Sequence, residues 1–166
     1  MSENLVKSIY LGIGSNLGNK KRNIEKAKFA LIRNHIKIIK SSSYYLSYSW
    51  PNPKNPKFLN IVLKITTRSN PKQLIKICKM IEISLGRKKR RKNSPRECDI
   101  DILDYNNKIM KNSLILPHPR MHKRNFVLLP LLELNKKWVH PISKQHINRL
   151  ILSLSNRDIT SIKQIW

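Results

Sequence analysis

Only 9 of the 166 residues are Asp or Glu, yet Asp99, Asp101 and Asp104 fall within six positions. They sit in Glu97 to Tyr105 (ECDIDILDY), an apolar stretch that reads as a β-strand. Side chains of a strand alternate between faces, so Asp99 and Asp101 share one face, roughly 6.5–7 Å apart along the strand. Cys98, Ile100 and Ile102 then point the other way, into a core. Asp104 has the opposite parity and lies near the strand end. Two carboxylates on one apolar face repel each other, so something positive must compensate. Two divalent cations about 3.5–4 Å apart would sit well between them. A solvated pair meeting nearby lysines would explain the same spacing. Arg96, three residues before Asp99, favours a phosphate site, because a guanidinium grips phosphate oxygens in a planar fork.

Several elements must position this pair. Ser8 to Ile13 (SIYLGI) reads as a strand running into a Gly-Ser-Asn turn. Asn19 to about His35 has the apolar spacing of a one-sided helix. Ile36 to Tyr48 reads as a strand, and Trp50 to Pro56, with three prolines, as a stiff extended loop. Phe58 to Thr67 is a further strand, antiparallel to the previous one. Asn70-Pro71 starts a helix with a cap and an N1 proline, and Gly86 closes it. The basic run Arg87 to Lys92 and Asn93-Ser94-Pro95 form a loop before the acidic strand. Beyond it come a turn at Asn106-Asn107, a short hairpin return over Lys108 to Leu116, a turn at Pro117 to Arg120 and a helix over Arg124 to Leu134. Trp138 to Trp166 forms a strand-and-helix appendix. The order β-α-β-β-α-β predicts an α+β, ferredoxin-like core, an antiparallel sheet flanked by helices, plus a C-terminal extension. That order alone says almost nothing about activity.

The length fits one domain, 1–166, with no linker and no internal repeat. The N-terminus lacks the basic flank and long apolar run of a secretory signal, and no apolar run approaches the ~20 residues of a membrane span. Cys78 and Cys98 make no disulfide framework and lack metal-ligand spacing, which fits a reducing cytoplasm. The net charge of +25 raises the question of a nucleic-acid partner. Heavy use of Lys, Ile and Asn throughout also fits an A/T-rich coding sequence, and a polyanionic small substrate would profit from the same field. No recognisable nucleic-acid reading module is present.

Ser94-Pro95-Arg96-Glu97-Cys98-Asp99-Ile100-Asp101-Ile102-Leu103 resembles the signature of the 6-hydroxymethyl-7,8-dihydropterin pyrophosphokinases. Tyr10 to Gly18 (YLGIGSNLG) is similar to that family's opening strand and turn, and Phe58-Leu59-Asn60 to its pterin-binding segment. Pro117 to Phe126 (PHPRMHKRNF), followed by Leu129-Pro130-Leu131, resembles its fourth block. The blocks keep the family's order from Tyr10 to Trp138. The resemblance implies a cytoplasmic monomer that transfers pyrophosphate from ATP to the pterin alcohol with two Mg²⁺, and it implies no nucleic-acid or membrane partner. It implies Asp99 and Asp101 as metal ligands, with Arg87 and Arg96 as catalytic cations. For ATP it implies Arg87, Lys89, Lys92, Arg96, His118 and Arg124. For the pterin it implies Ser47, Tyr48, Trp50, Phe58, Asn60 and Phe126, with the two Phe rings sandwiching the heterocycle and Asn60 reading its edge. Glu82 matches a family acid near the site and carries no assigned step. The basic run maps to a loop that closes over ATP. It is one residue shorter than the family form, Asn93 stands where a Trp is expected, and Pro119 stands where some relatives have Tyr.

Two other readings are distinguishable. A nucleic-acid-binding ferredoxin-like module would show steeply salt-dependent RNA binding indifferent to ATP. A degenerate, inactive relative is disfavoured by the retained Asn60, Arg96, Asp99, Asp101 and His118.

Overall fold

The computed structural model describes residues 8–165. The expectations for residues 1–7 and for the last residue of the appendix, Trp166, lie outside the described residues.

The central sheet runs in the order β5 (Asp99–Tyr105), β1 (Ile9–Ser15), β4 (Phe58–Thr66), β3 (Tyr44–Ser47) and β8 (Lys163–Ile165), with β2 (Lys37–Ser41) also paired to β4. The registered pairs are all antiparallel. With helices α1 (Lys20–Arg33) and α2 (Pro71–Ser84) the order is β-α-β-β-β-α-β, the ferredoxin-like β-α-β-β-α-β with its second strand in two pieces. Their starts are set locally. Asn19 accepts from the Arg22 amide, while Asn70 and Gln73 form a reciprocal capping box with Pro71 in the first turn. Gly86, at φ +104°, ends α2 in a conformation that costs glycine nothing.

Strand alternation divides the apolar residues into two layers. Ile9, Leu11, Ile13, Ile61, Leu63, Ile65, Ile100 and Ile102 pack under α1 and α2. Tyr10, Val62 and Leu103 pack on the opposite side, against α3 (Asn125–Leu134), Trp138 and α4 (Ile147–Leu152). The second layer covers only part of its face. What remains open is the strip over the far halves of β1, β4 and β5.

Two expectations are corrected, and the C-terminal appendix takes a definite form. The single strand expected over Ile36 to Tyr48 is two strands, broken at Ser42-Ser43. Glu133 of α3 accepts from the Ser43 amide and hydroxyl, each at 2.9 Å, and from the Tyr45 hydroxyl at 2.9 Å, which draws the chain out of line. The C-terminal appendix contributes α4, α5 (Asn156–Ser161) and then β8, which pairs with β3 and extends the main sheet. Asp104 does not take the face opposite to Asp101. The register shifts between Tyr10 and Leu11, so Leu103 is an extra residue on β5, and this bulge turns Asp104 toward Tyr10 and Trp138. Asp104 is buried there, accepting from Trp138 Nε1 and the Asn107 amide at 2.9 Å each. The expected hairpin return is the pair β6 (Met110–Lys111) and β7 (Ile115–Leu116). Among the described residues no helix is long and apolar enough to cross a membrane.

Candidate active site

The uncovered strip of the sheet is floored by two glycines of β1. Gly12 stands between Asp101 on β5 and Val62 on β4; Gly14 stands between Asp99 and Asn60. Alternation puts both positions on the face of Tyr10, but with no side chain they leave a trough. A Cβ added at Gly14 would come within 3.2 Å of both Asn60 Oδ1 and Phe58 Cδ1. The result is a cavity of about 350 Å³, acidic and cationic on one wall, aromatic on the other.

On the charged wall, Asp99 Oδ1 accepts from Arg87 Nη1 at 2.8 Å, and Arg96 Nε lies 3.8 Å from Asp99 Oδ2. Asp101 Oδ2 lies 3.7 Å from His118 Nε2 and 3.8 Å from Arg124 Nη1. Burial, reinforced by the neighbouring Asp99 charge, pushes the Asp101 carboxyl up to about 6. The expected sharing of one face by Asp99 and Asp101 therefore has an electrostatic consequence. Arg96 Nε is shielded from water and has no hydrogen-bond acceptor among the described residues. With Asp99 Oδ2 at ion-pair distance but not hydrogen-bonded, that nitrogen keeps a donor free for a further anion.

Glu82 organises this wall from beneath. It is 2% exposed, on the inner side of α2. It receives Arg87 Nη1, Lys79 Nζ at 3.0 Å and the Ile100 amide at 2.7 Å. The Ile100 amide lies between the two aspartates on the free edge of β5, so one carboxylate holds both the cation and the backbone that carry Asp99. His118 is neutral in this setting. Burial, then Arg124 and Arg120, push its imidazole down to about 4. Its Nδ1 accepts from the Arg120 amide at 3.2 Å, which leaves the proton on Nε2, facing Asp101.

On the aromatic wall, Tyr48, Trp50, Phe58 and Phe126 line the cavity with Asn60. The Asn60 amide nitrogen donates to Ser47 Oγ at 2.9 Å and to the Tyr45 carbonyl at 3.2 Å, leaving Oδ1 toward the trough. Ser47 is buried behind Asn60 and does not line the cavity. Each ring carries a cation. Lys57 stands 4.5 Å from the Tyr48 centroid, Arg120 5.2 Å from Trp50, Arg96 5.9 Å from Phe58 and Arg124 5.4 Å from Phe126.

Of the basic loop, Lys88 and Arg90 to Glu97 line the cavity, Lys92 among them; Lys89 is exposed and does not. Asn16 ties the loop's end to the aromatic wall. It accepts from the Arg96 amide at 2.8 Å and donates to Ser49 Oγ at 3.2 Å and the Pro56 carbonyl at 3.1 Å. Sequence reasoning missed Lys79 and Arg120 as members of the site. Lys79 had a signal in its i, i+3 spacing to Glu82; Arg120 had none beyond its place in the fourth block.

Asp99 and Asp101 fit magnesium. No cluster of three or more His, Cys, Asp or Glu that could enclose a metal is found among the described residues. Two carboxylates on an open strip leave most coordination positions to water and to substrate phosphates, as magnesium prefers.

The profile of the 7,8-dihydro-6-hydroxymethylpterin-pyrophosphokinase (HPPK) family matches residues 10–136. A 2-amino-4-hydroxy-6-hydroxymethyldihydropteridine pyrophosphokinase of Aquifex aeolicus is 40% identical over 139 residues, covering 83% of this chain and 86% of that one. The enzyme of the same name from Bacillus subtilis is 38% identical over 128 residues, 75% of this chain and 76% of its own. The folic acid synthesis protein fol1 of Pneumocystis carinii is 37% identical over 97% of this chain, which spans 22% of that longer protein. A crystal structure of wild-type HPPK-DHPS from Plasmodium falciparum with pteroate shares the fold. Its TM-score is 0.76 over 100% of this chain and 47% of that one, at 17% identity.

Proposed function

The chain belongs to the 7,8-dihydro-6-hydroxymethylpterin-pyrophosphokinase family and transfers pyrophosphate from ATP to 6-hydroxymethyl-7,8-dihydropterin in folate synthesis, and we propose that the two-walled cavity is where it does so. The observation that carries this reading is the pairing of Asp99 and Asp101 with an Arg96 Nε that has no hydrogen-bond acceptor among the described residues. The triphosphate lies along the charged wall and the pterin along the aromatic one. The hydroxymethyl oxygen attacks the β-phosphorus in line, the bond to the α,β-bridging oxygen breaks, and AMP leaves.

Positioning and charge neutralisation do most of this work. Asp99 and Asp101 would hold magnesium, two ions on our reading, which supplies charge neutralisation at the phosphates and eases loss of the hydroxyl proton. Arg87 is aimed by Glu82 and Asp99, and Arg96 by Asp99 and the Phe58 ring, toward the same phosphates. Arg124 and Lys92 add charge from the other side and from the loop, and His118 donates as a neutral N–H. Lys89, outside the cavity lining, reaches ATP only if the loop moves. Phe58 and Phe126 offer their faces to the pterin ring, Asn60 Oδ1 accepts from its edge, and Tyr48 and Trp50 close the end of the pocket, with Ser47 holding Asn60 from behind. We read the chain as one pyrophosphokinase domain, 1–166, acting as a cytoplasmic monomer on small molecules, without nucleic-acid or membrane partners. The buried free thiols of Cys78 and Cys98 suit a reducing compartment.

The test is AMP release from ATP and 6-hydroxymethyl-7,8-dihydropterin, with and without magnesium. Asp101→Ala is expected to abolish it in a protein that stays folded. Undiminished turnover in that variant would remove the metal assignment.

A further inference from the structure

Four cations rest on the rings of the aromatic wall, but they differ in what else holds them. Arg96 and Arg124 are each within 3.8 Å of an aspartate of the charged wall. Lys57 lies outside the cavity lining. Arg120 alone lines the cavity while its guanidinium has neither a carboxylate nor a hydrogen-bond acceptor among the described residues; its contact is the face of Trp50, at 5.2 Å. Trp50 is 58% exposed, so this contact lies at the mouth rather than in the interior.

The two residues come from opposite sides of the trough. Trp50 belongs to the proline-rich loop between β3 and β4. Arg120 belongs to the turn that carries His118 and leads into α3. The Arg120 charge is also close enough to depress both the His118 imidazole and the Arg124 guanidinium. It therefore touches the aromatic wall while contributing to the field of the phosphate wall.

We infer that Arg120 is a positioning residue that clasps Trp50 across the mouth of the pocket, holding the β3–β4 loop over a bound pterin and slowing its release. The inference rests on the pterin reading of the aromatic wall. An exposed cation–π contact of this kind changes an equilibrium about two- to five-fold. Arg120 keeps that contact without competing for an acid, so it acts on the loop and not on the metal ligands.

The experiment is stopped-flow release of 6-hydroxymethyl-7,8-dihydropterin from the full chain in the presence of α,β-methylene ATP. Arg120→Ala is expected to speed release about two- to five-fold, Trp50→Leu to do the same, and Arg120→Lys, which keeps a cation, to recover part of the difference. The double substitution should release no faster than the faster single one, because the two residues make one contact. Lys123→Ala removes a charge from the same turn, outside the cavity lining, and should release at the unaltered rate. Release from Arg120→Ala at the rate of the unaltered chain overturns the clasp, and so do effects that add in the double variant. An unaltered chain that binds no pterin overturns the pterin reading itself, and the clasp with it.

Discussion

Glu82 Oε1 accepts the Ile100 amide at 2.7 Å, at the point on β5 midway between Asp99 and Asp101. An edge strand normally leaves that amide to water. Here a carboxylate from α2 takes it and at the same time receives Arg87 and Lys79. The strand's position and the direction of its nearest guanidinium are thus set by one buried side chain.

Glu82→Ala removes the acceptor and leaves a buried amide unpaired, at a cost of about 1–3 kcal/mol. Glu82→Gln keeps an oxygen for Ile100 but no charge for Arg87 and Lys79. We expect urea unfolding to show the larger loss in the Ala variant, while AMP release falls in both. Equal stability of the Ala variant and the unaltered chain would mean that Glu82 does not hold β5.

Asp101 is placed for function against its own stability. Burial and the neighbouring Asp99 charge push its carboxyl from the ordinary 3.8 up to about 6 in the folded, ligand-free protein. Between these values the unfolded chain has released its proton and the folded chain has not. The folded state therefore binds more protons, and stability falls as pH rises through the window. Asp101→Asn removes this slope. Melting temperatures from pH 4 to pH 7 without magnesium should decline in the unaltered chain relative to the Asn variant, while the Asn variant loses turnover on the order of 10²–10³-fold or more. A flat difference between the two curves would contradict the raised value.

Gly14→Ala tests the trough floor. The added methyl meets Asn60 Oδ1 and Phe58 Cδ1 at 3.2 Å, and Asn60 is held in place by Ser47 and Tyr45. We expect a loss of folding stability of about 1–3 kcal/mol and, because the methyl enters the trough beside Asn60 and Phe58, a rise in KM for the pterin with KM for ATP less affected. A rise in KM for ATP alone would place the pterin elsewhere.

Much of the site was legible because it is local. The face shared by Asp99 and Asp101 follows from the two-residue period of a strand, and Asn70-Pro71 and Gly86 mark the ends of α2 by backbone chemistry that needs no partner. The ordered blocks from Tyr10 to Trp138 were enough to recognise the family. Relations between residues distant in the chain were not legible. The face of Asp104 changed because β5 bulges against Tyr10. The strand at Ile36 to Tyr48 broke because Glu133, 90 residues from Ser43, competes for its amide. The bare glycine floor, the hold of Glu82 on Ile100 and the reach of Arg120 to Trp50 likewise depend on which strands and turns become neighbours. Periodicity and capping act over a few residues and are written in the chain. Burial, pairing and the charge around a carboxyl are set by what packs beside it, and only the folded structure decides that.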